Sequence, residues 1–107
     1  MAKVTTESDV LEVRDKSIAH VFWDVQAERI QQDAKWDVQN LSSHEWISVL
    51  TEEVGESAEA ANILTWGGTT YPQRRKEFLA DLRAELVQVA AVAVAAIECL
   101  DRNSLLA

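Results

Sequence analysis

Apolar residues in the first third of the chain recur at helical spacing: Ile18, Val21, Phe22, Val25 and Ile30, with Asp24, Glu28 and Arg29 between them. That period predicts a helix over residues 17–35. Residues 1–16 are polar with weak periodicity, and the expectation there is a loosely held segment or a short lead-in helix. After Trp36 the stretch DVQNLSS carries turn chemistry, and Ser42 with Glu45 three residues on forms a capping-box pattern. A second helix is expected over 43–64, with Trp46, Val49, Leu50, Val54, Ala58 and Ala61 as its apolar side. Gly67, Gly68 and Pro72 in TWGGTTYPQ are expected to end that helix and make a loop. A third helix is expected over 73–102. Its part LVQVAAVAVAAI is apolar round most of the circumference, which places it at the centre of a bundle or between subunits. The pattern as a whole predicts one all-α helical bundle of three main helices, its core completed by oligomerisation as a homodimer or homotetramer.

Length and charge narrow the setting. At 107 residues and 12.0 kDa the chain is one domain with a modest core of its own. A net charge of −8 and a pI near 4.6 argue against a nucleic-acid polymer as partner, because phosphate contacts need a surplus of Lys and Arg. A small phosphorylated ligand stays compatible if a divalent cation stands between carboxylates and phosphates. The single cysteine, Cys99, allows no intrachain disulfide and no thiolate-rich metal site, and reads as a small core side chain in a reducing compartment. The start MAKVTTESDV has no apolar leader-like region, and the longest apolar run, from Val89 to Ile97, is far short of the ~20 residues that span a bilayer. The expected location is cytoplasmic, with no membrane contact.

Within TEEVGESAEA, Glu52, Glu53, Glu56 and Glu59 crowd a stretch that otherwise reads as a half-buried helix. Positions three and four apart share a helix face, so Glu53 and Glu56 point together. Two such charges at ~4 Å repel by about 1 kcal/mol in water and about 4 kcal/mol at an effective dielectric of 20. A partly buried cluster therefore invites a cation or a proton, whereas an exposed one is merely solvated. The third helix carries Glu85 and Gln88, again three apart, and Gln88 interrupts an apolar run where an unpartnered amide is unfavourable. If the second and third helices pack side by side, the two pairs face each other as an all-oxygen cage of the sort Mg²⁺ or Mn²⁺ prefers.

WISVLTEEVGESAEA followed by LRAELVQVAAVAVAAIE resembles the MazG-like all-α nucleoside triphosphate pyrophosphohydrolases, whose motif is EExxE and, after a variable gap, ExxD. The first half matches at Glu52, Glu53 and Glu56. In the second, Glu85 is followed by Gln88 where the family has Asp, and ELVQV aligns with the family's ELADV. ERIQQDAKWDVQN is similar to the family's Gln-rich stretch ending in Lys-Trp-Gly, with Asp37 replacing the Gly, so the resemblance runs over residues 20–102. A literal ExxD at Glu98 and Asp101 lies too far down the helix and reads as a solvated end.

The resemblance implies hydrolysis of (deoxy)nucleoside triphosphates between the α and β phosphates to a monophosphate and pyrophosphate. By it, Glu53, Glu56 and Glu85 are the principal magnesium ligands, Gln88 stands in the fourth ligand position, and Glu52 coordinates or acts as a base. Glu52 and Glu53 are the candidates for taking a proton from the attacking water. Trp36 and Trp66 fall where the family lines its nucleotide pocket with aromatics, while Trp23 and Trp46 read as core. Lys35, Arg74, Arg75, Lys76 and Arg83 are candidate phosphate contacts. His20 and His44 are isolated from other metal-type ligands. A carboxylate-bridged di-iron bundle is disfavoured because neither histidine stands three residues after a glutamate. The alternative is a catalytically silent oligomeric helical module with a decayed metal site.

Overall fold

The computed structural model describes residues 6–105, all helix and connecting turns with no strand among them. Three long helices follow one another: α1 over Glu7–Trp36, α2 over Ser43–Thr70 and α3 over Arg75–Leu105, with a single 3-10 turn at Pro72–Arg74 before α3. The chain is an all-α bundle, as its 3.6-residue period predicts. Among the described residues no helix is long and apolar enough to cross a membrane.

The element ends follow local chemistry, and two differ from expectation. α1 begins at Glu7, so residues 7–16 are its first turns and form no separate lead-in helix; residues 1–5 of that expectation lie outside the described residues. Its far end closes on Asp37, whose φ of 59° is left-handed and whose N–H donates to the Asp33 carbonyl at 2.9 Å. That is the conformation a helix C-terminus usually assigns to glycine. α2 opens on the expected capping box: Glu45 N–H donates to Ser42 Oγ at 3.2 Å, and Ser42 N–H donates to the Glu45 carboxylate at 3.1 Å.

α2 does not stop before its glycines. It runs through Gly67 and Gly68 to Thr70, and Pro72 rather than the glycine pair ends it. A Cβ at Gly67 would stand 3.0 Å from the Phe78 ring, so the glycine lets α2 and the start of α3 approach closely. α2 and α3 thus fold back on each other, with Gly67 against Phe78 at one end. At the other, Trp46, Val92, Ala95 and Cys99 form the buried cluster, and Leu41, Val49, Leu50 and Ala96 pack against it.

α1 lies against α3 and not against α2. Of its apolar stripe only Val25 is buried, while Phe22 is 66% exposed and Ile18, Val21 and Ile30 are also exposed. Trp23, expected in the core, is 68% exposed; Trp46 is buried as expected. Two ion pairs tie α1 down, Arg29 to Glu98 at 2.9 Å and Arg83 to Asp24 at 2.7 Å.

Candidate metal centre and its two cavities

The capping box fixes where α2 begins and hence which way its third turn points. Glu53 and Glu56, three residues apart, face α3, where the antiparallel packing brings Glu85 opposite them. One carboxylate oxygen from each of the three lies within 4.8 Å of the others, with Glu53 and Glu85 half-buried and Glu56 exposed. The electrostatics reflect the crowding. Partial burial, then the charges of Glu56, Glu85, Glu52 and Glu28, push the Glu53 carboxyl above the ordinary carboxylate range. Glu85 is raised by the same sequence of causes: burial first, then the charge of Glu56 and a hydrogen bond with it, with Asp81 and Glu59 adding smaller repulsions. No cationic side chain is among the groups that shift either carboxyl, so proton uptake or a bound cation would relieve the repulsion.

Gln88, the fourth expected position, is half-buried one turn beyond Glu85. Its Oε1 accepts a long hydrogen bond, 3.4 Å, from Gln32 Nε2 on α1. Gln32 is itself held by Arg29, whose Nη1 donates to its Oε1 at 3.1 Å, and Arg29 is anchored further by Asp33 at 3.0 Å and by Glu98. The amide in the apolar run therefore has a partner. Glu98, half of the literal ExxD that reads as a solvated end, is about half exposed and in addition pairs with Arg29.

The glutamates stand between two cavities. One, of about 400 Å³, opens between the last turns of α1 and the sides of α2 and α3 that face them, and Glu53, Gln88, Glu28, Gln32, Lys35 and Trp36 are among its lining. The Lys35 ammonium lies over the Trp36 ring at 4.7 Å, and that ring remains 57% exposed. Arg102 reaches the same cavity while donating to the Gln39 carbonyl and Asn40 Oδ1, both at 3.1 Å. Trp46 also borders it, with its indole N–H buried and without a hydrogen-bond partner. The second cavity, of about 460 Å³, is lined by Glu56, Glu59, Asp81 and Glu85 together with Ile63 and Phe78.

The remaining expected residues lie elsewhere. Glu52 is exposed beside the cluster and acts on it through its charge on Glu53. Trp66 is 72% exposed and borders neither cavity, and Arg83 is engaged with Asp24 outside both. Arg74 pairs with Glu77 at 2.8 Å and stacks on Phe78, while Arg75 and Lys76 are exposed. His20 stands 3.8 Å from Asp24, and His44 is exposed near the start of α2. Gln32, Arg29 and Arg102 were not singled out from sequence. Gln32 does fall in the Gln-rich stretch that carries the resemblance, but its meeting with Gln88 depends on how α1 crosses α3.

The donor set suits a hard cation. Three carboxylates with one oxygen each within 4.8 Å of the others are the all-oxygen donor type that Mg²⁺ and Mn²⁺ take. Comparison with protein-family models, with curated proteins and with solved structures gives no match.

Proposed function

We propose that the chain is a MazG-like nucleoside triphosphate pyrophosphohydrolase that uses Mg²⁺, or Mn²⁺ in its place. On this reading it splits (deoxy)nucleoside triphosphates at the α–β phosphate bond to a monophosphate and pyrophosphate. The observation that carries the reading is the convergence of Glu53, Glu56 and Glu85 beside a cavity that also holds Lys35 and an exposed Trp36. Glu53, Glu56 and Glu85 would hold the ion, with Gln88 adjoining as a neutral oxygen. An ion held there would supply charge neutralisation for the phosphates and a more acidic water.

The chain's own residues supply the rest. The Trp36 face offers a stacking surface for a base, and Lys35 on that ring is placed to meet phosphate. Glu53 borders the cavity with a raised proton affinity, which suits it to accept a proton from water; Glu52, exposed beside it, is the other candidate. Release of pyrophosphate and monophosphate from a panel of ribo- and deoxynucleoside triphosphates tests this. Turnover is expected to require Mg²⁺ and to fall at least about 10²-fold in Glu53→Gln and Glu56→Gln. Undiminished turnover by both variants would sink the reading.

One observation favours a second reading, a catalytically silent helical module. The Gln88 oxygen that would complete the cage already accepts from Gln32. If no triphosphate is cleaved and Mg²⁺ leaves the melting temperature unchanged, the silent module is the better description.

A further inference from the structure

The larger cavity is chemically uneven along its length. One end holds Glu53, Glu28 and Gln88; the other holds Arg102, Trp36 and Gln39, where the chain has left α1 and α3 enters its last turn. Trp46 and Ala95, which pack together in the buried cluster, line the cavity between them. Gln88 and Arg102 stand fourteen residues apart on α3, about 21 Å by the helical rise, a span that an extended nucleoside triphosphate can bridge. With phosphates at the glutamates, the base falls at the Arg102 end. We infer that Arg102 selects that base, favouring the oxo bases guanine, hypoxanthine, uracil and thymine over the amino bases adenine and cytosine, an inference that rests on the proposed function for the direction in which the nucleotide lies.

The hydrogen bonds of Arg102 point to this choice. Its Nη2 donates to the Gln39 carbonyl and to Asn40 Oδ1, both at 3.1 Å, and both acceptors lie in the segment just after Trp36. The half-buried guanidinium is thereby tied to the same stretch of chain as the ring on which a base would stack. Those two bonds use both hydrogens of Nη2. The N–H groups on Nε and Nη1 have no partner among the described residues, and a guanidinium has no acceptor to offer. A carbonyl at purine C6 or pyrimidine C4 can take one of them. An exocyclic amine at the same place sets N–H against N–H and leaves Arg102 unsatisfied.

Trp46 adds a donor of the same kind. It is 6% exposed and borders the cavity, and its indole N–H has no hydrogen-bond partner. An indole nitrogen only donates, so this wall too gains from an acceptor on the ligand and nothing from an amine. The carboxylates that could hold an amine are otherwise engaged: Asp33 pairs with Arg29 at 3.0 Å, Asp37 is exposed to water, and Glu28 lies at the opposite end.

Kinetics and binding on paired nucleotides test the selection. With Mg²⁺, wild-type kcat/KM is expected to favour GTP over ATP and UTP over CTP, each by about tenfold or more, the discrimination that a good hydrogen bond to a base edge gives. Arg102→Met keeps the length of the side chain and loses every donor. It is expected to stay helical by far-UV circular dichroism and to bring both ratios within about threefold of one. Should it lose helicity, Arg102→Gln takes its place with the same expectation. Calorimetric titration with the uncleavable α,β-methylene analogues of the same four triphosphates reads base choice without the chemistry. Tighter binding of the guanine and uracil analogues with no turnover of any triphosphate would uphold the selection and remove the hydrolase. Turnover that is equal within each pair or prefers ATP and CTP, or ratios unmoved in the Arg102 variants, overturns the selection and leaves the hydrolase standing. Failure to bind any analogue overturns it as well.

Discussion

Glu53 and Glu85 keep their protons to higher pH than ordinary carboxyls because each is partly desolvated and faces other carboxylates across the α2–α3 contact. Their folded-state values lie above the reference of 4.5, so between that pH and the raised values the folded chain holds protons that the unfolded chain has released. Stability in metal-free buffer is accordingly expected to fall as pH rises through that window and to level off above it. Glu85→Gln removes one member of the repelling set, so its metal-free melting temperature at pH 7 should exceed the wild type's and its pH dependence should be shallower. Mg²⁺ should reverse the order, since a ligand at about 100 times its Kd adds about 2.7 kcal/mol to the state that binds it. Thermal melts from pH 4 to 7.5, with chelator and with Mg²⁺, check both halves. A wild type whose melting temperature rises with pH in chelator would contradict the crowded-carboxylate account.

The two interior glycines of α2 that differ most in surroundings show how much of an element its sequence can announce. Nothing stands within 4 Å of where a Cβ would sit at Gly55, whereas at Gly67 the Phe78 ring is 3.0 Å away. Gly55→Ala should therefore gain close to the full helix-propensity difference, about 1 kcal/mol. Gly67→Ala gains the same locally but presses on Phe78, which is buried and has Arg74 stacked upon it. Overpacking of that kind costs about 1–3 kcal/mol, so the variant should be neutral to destabilised. Urea unfolding of the two proteins side by side decides it, and equal stabilisation by both would show that Phe78 yields freely. From sequence alone Gly67 and Gly68 read as a stop, because the reason for a glycine inside a helix is a neighbour 11 residues away. The start of α2 was legible because the capping box is local to Ser42 and Glu45. So were Glu53, Glu56 and Glu85, whose meeting needs only helical spacing and an antiparallel neighbour. The Gln32–Gln88 contact and the Arg83–Asp24 pair were not, since each depends on the angle at which α1 crosses α3.

Across the whole molecule the helices are not held equally. α2 and α3 share the buried cluster round Trp46 and Cys99, whereas α1 contributes Val25 to the core and otherwise depends on its ion pairs with α3. Local opening follows buried apolar contact, so α1 should open before the α2–α3 pair. Arg29 is the residue on which that difference turns: 12% exposed, it joins Glu98 on α3 to Asp33 and Gln32 on its own helix. Glu98 is half exposed, which keeps the pair's worth nearer that of a surface bridge, about 1 kcal/mol. Arg29→Ala should thus raise the opening equilibrium of α1 roughly fivefold, because 1.4 kcal/mol is a factor of ten. Native-state hydrogen exchange is expected to show faster exchange over the last turns of α1 and unchanged protection in α3 around Val92 and Ala95. The same helix carries Glu28, Gln32, Lys35 and Trp36 into the larger cavity. On the proposed function, loosening that wall weakens substrate binding while leaving Glu53, Glu56 and Glu85 in place. KM should then rise in Arg29→Ala with kcat little changed, and a loss confined to kcat would mean that α1 takes part in the chemical step itself.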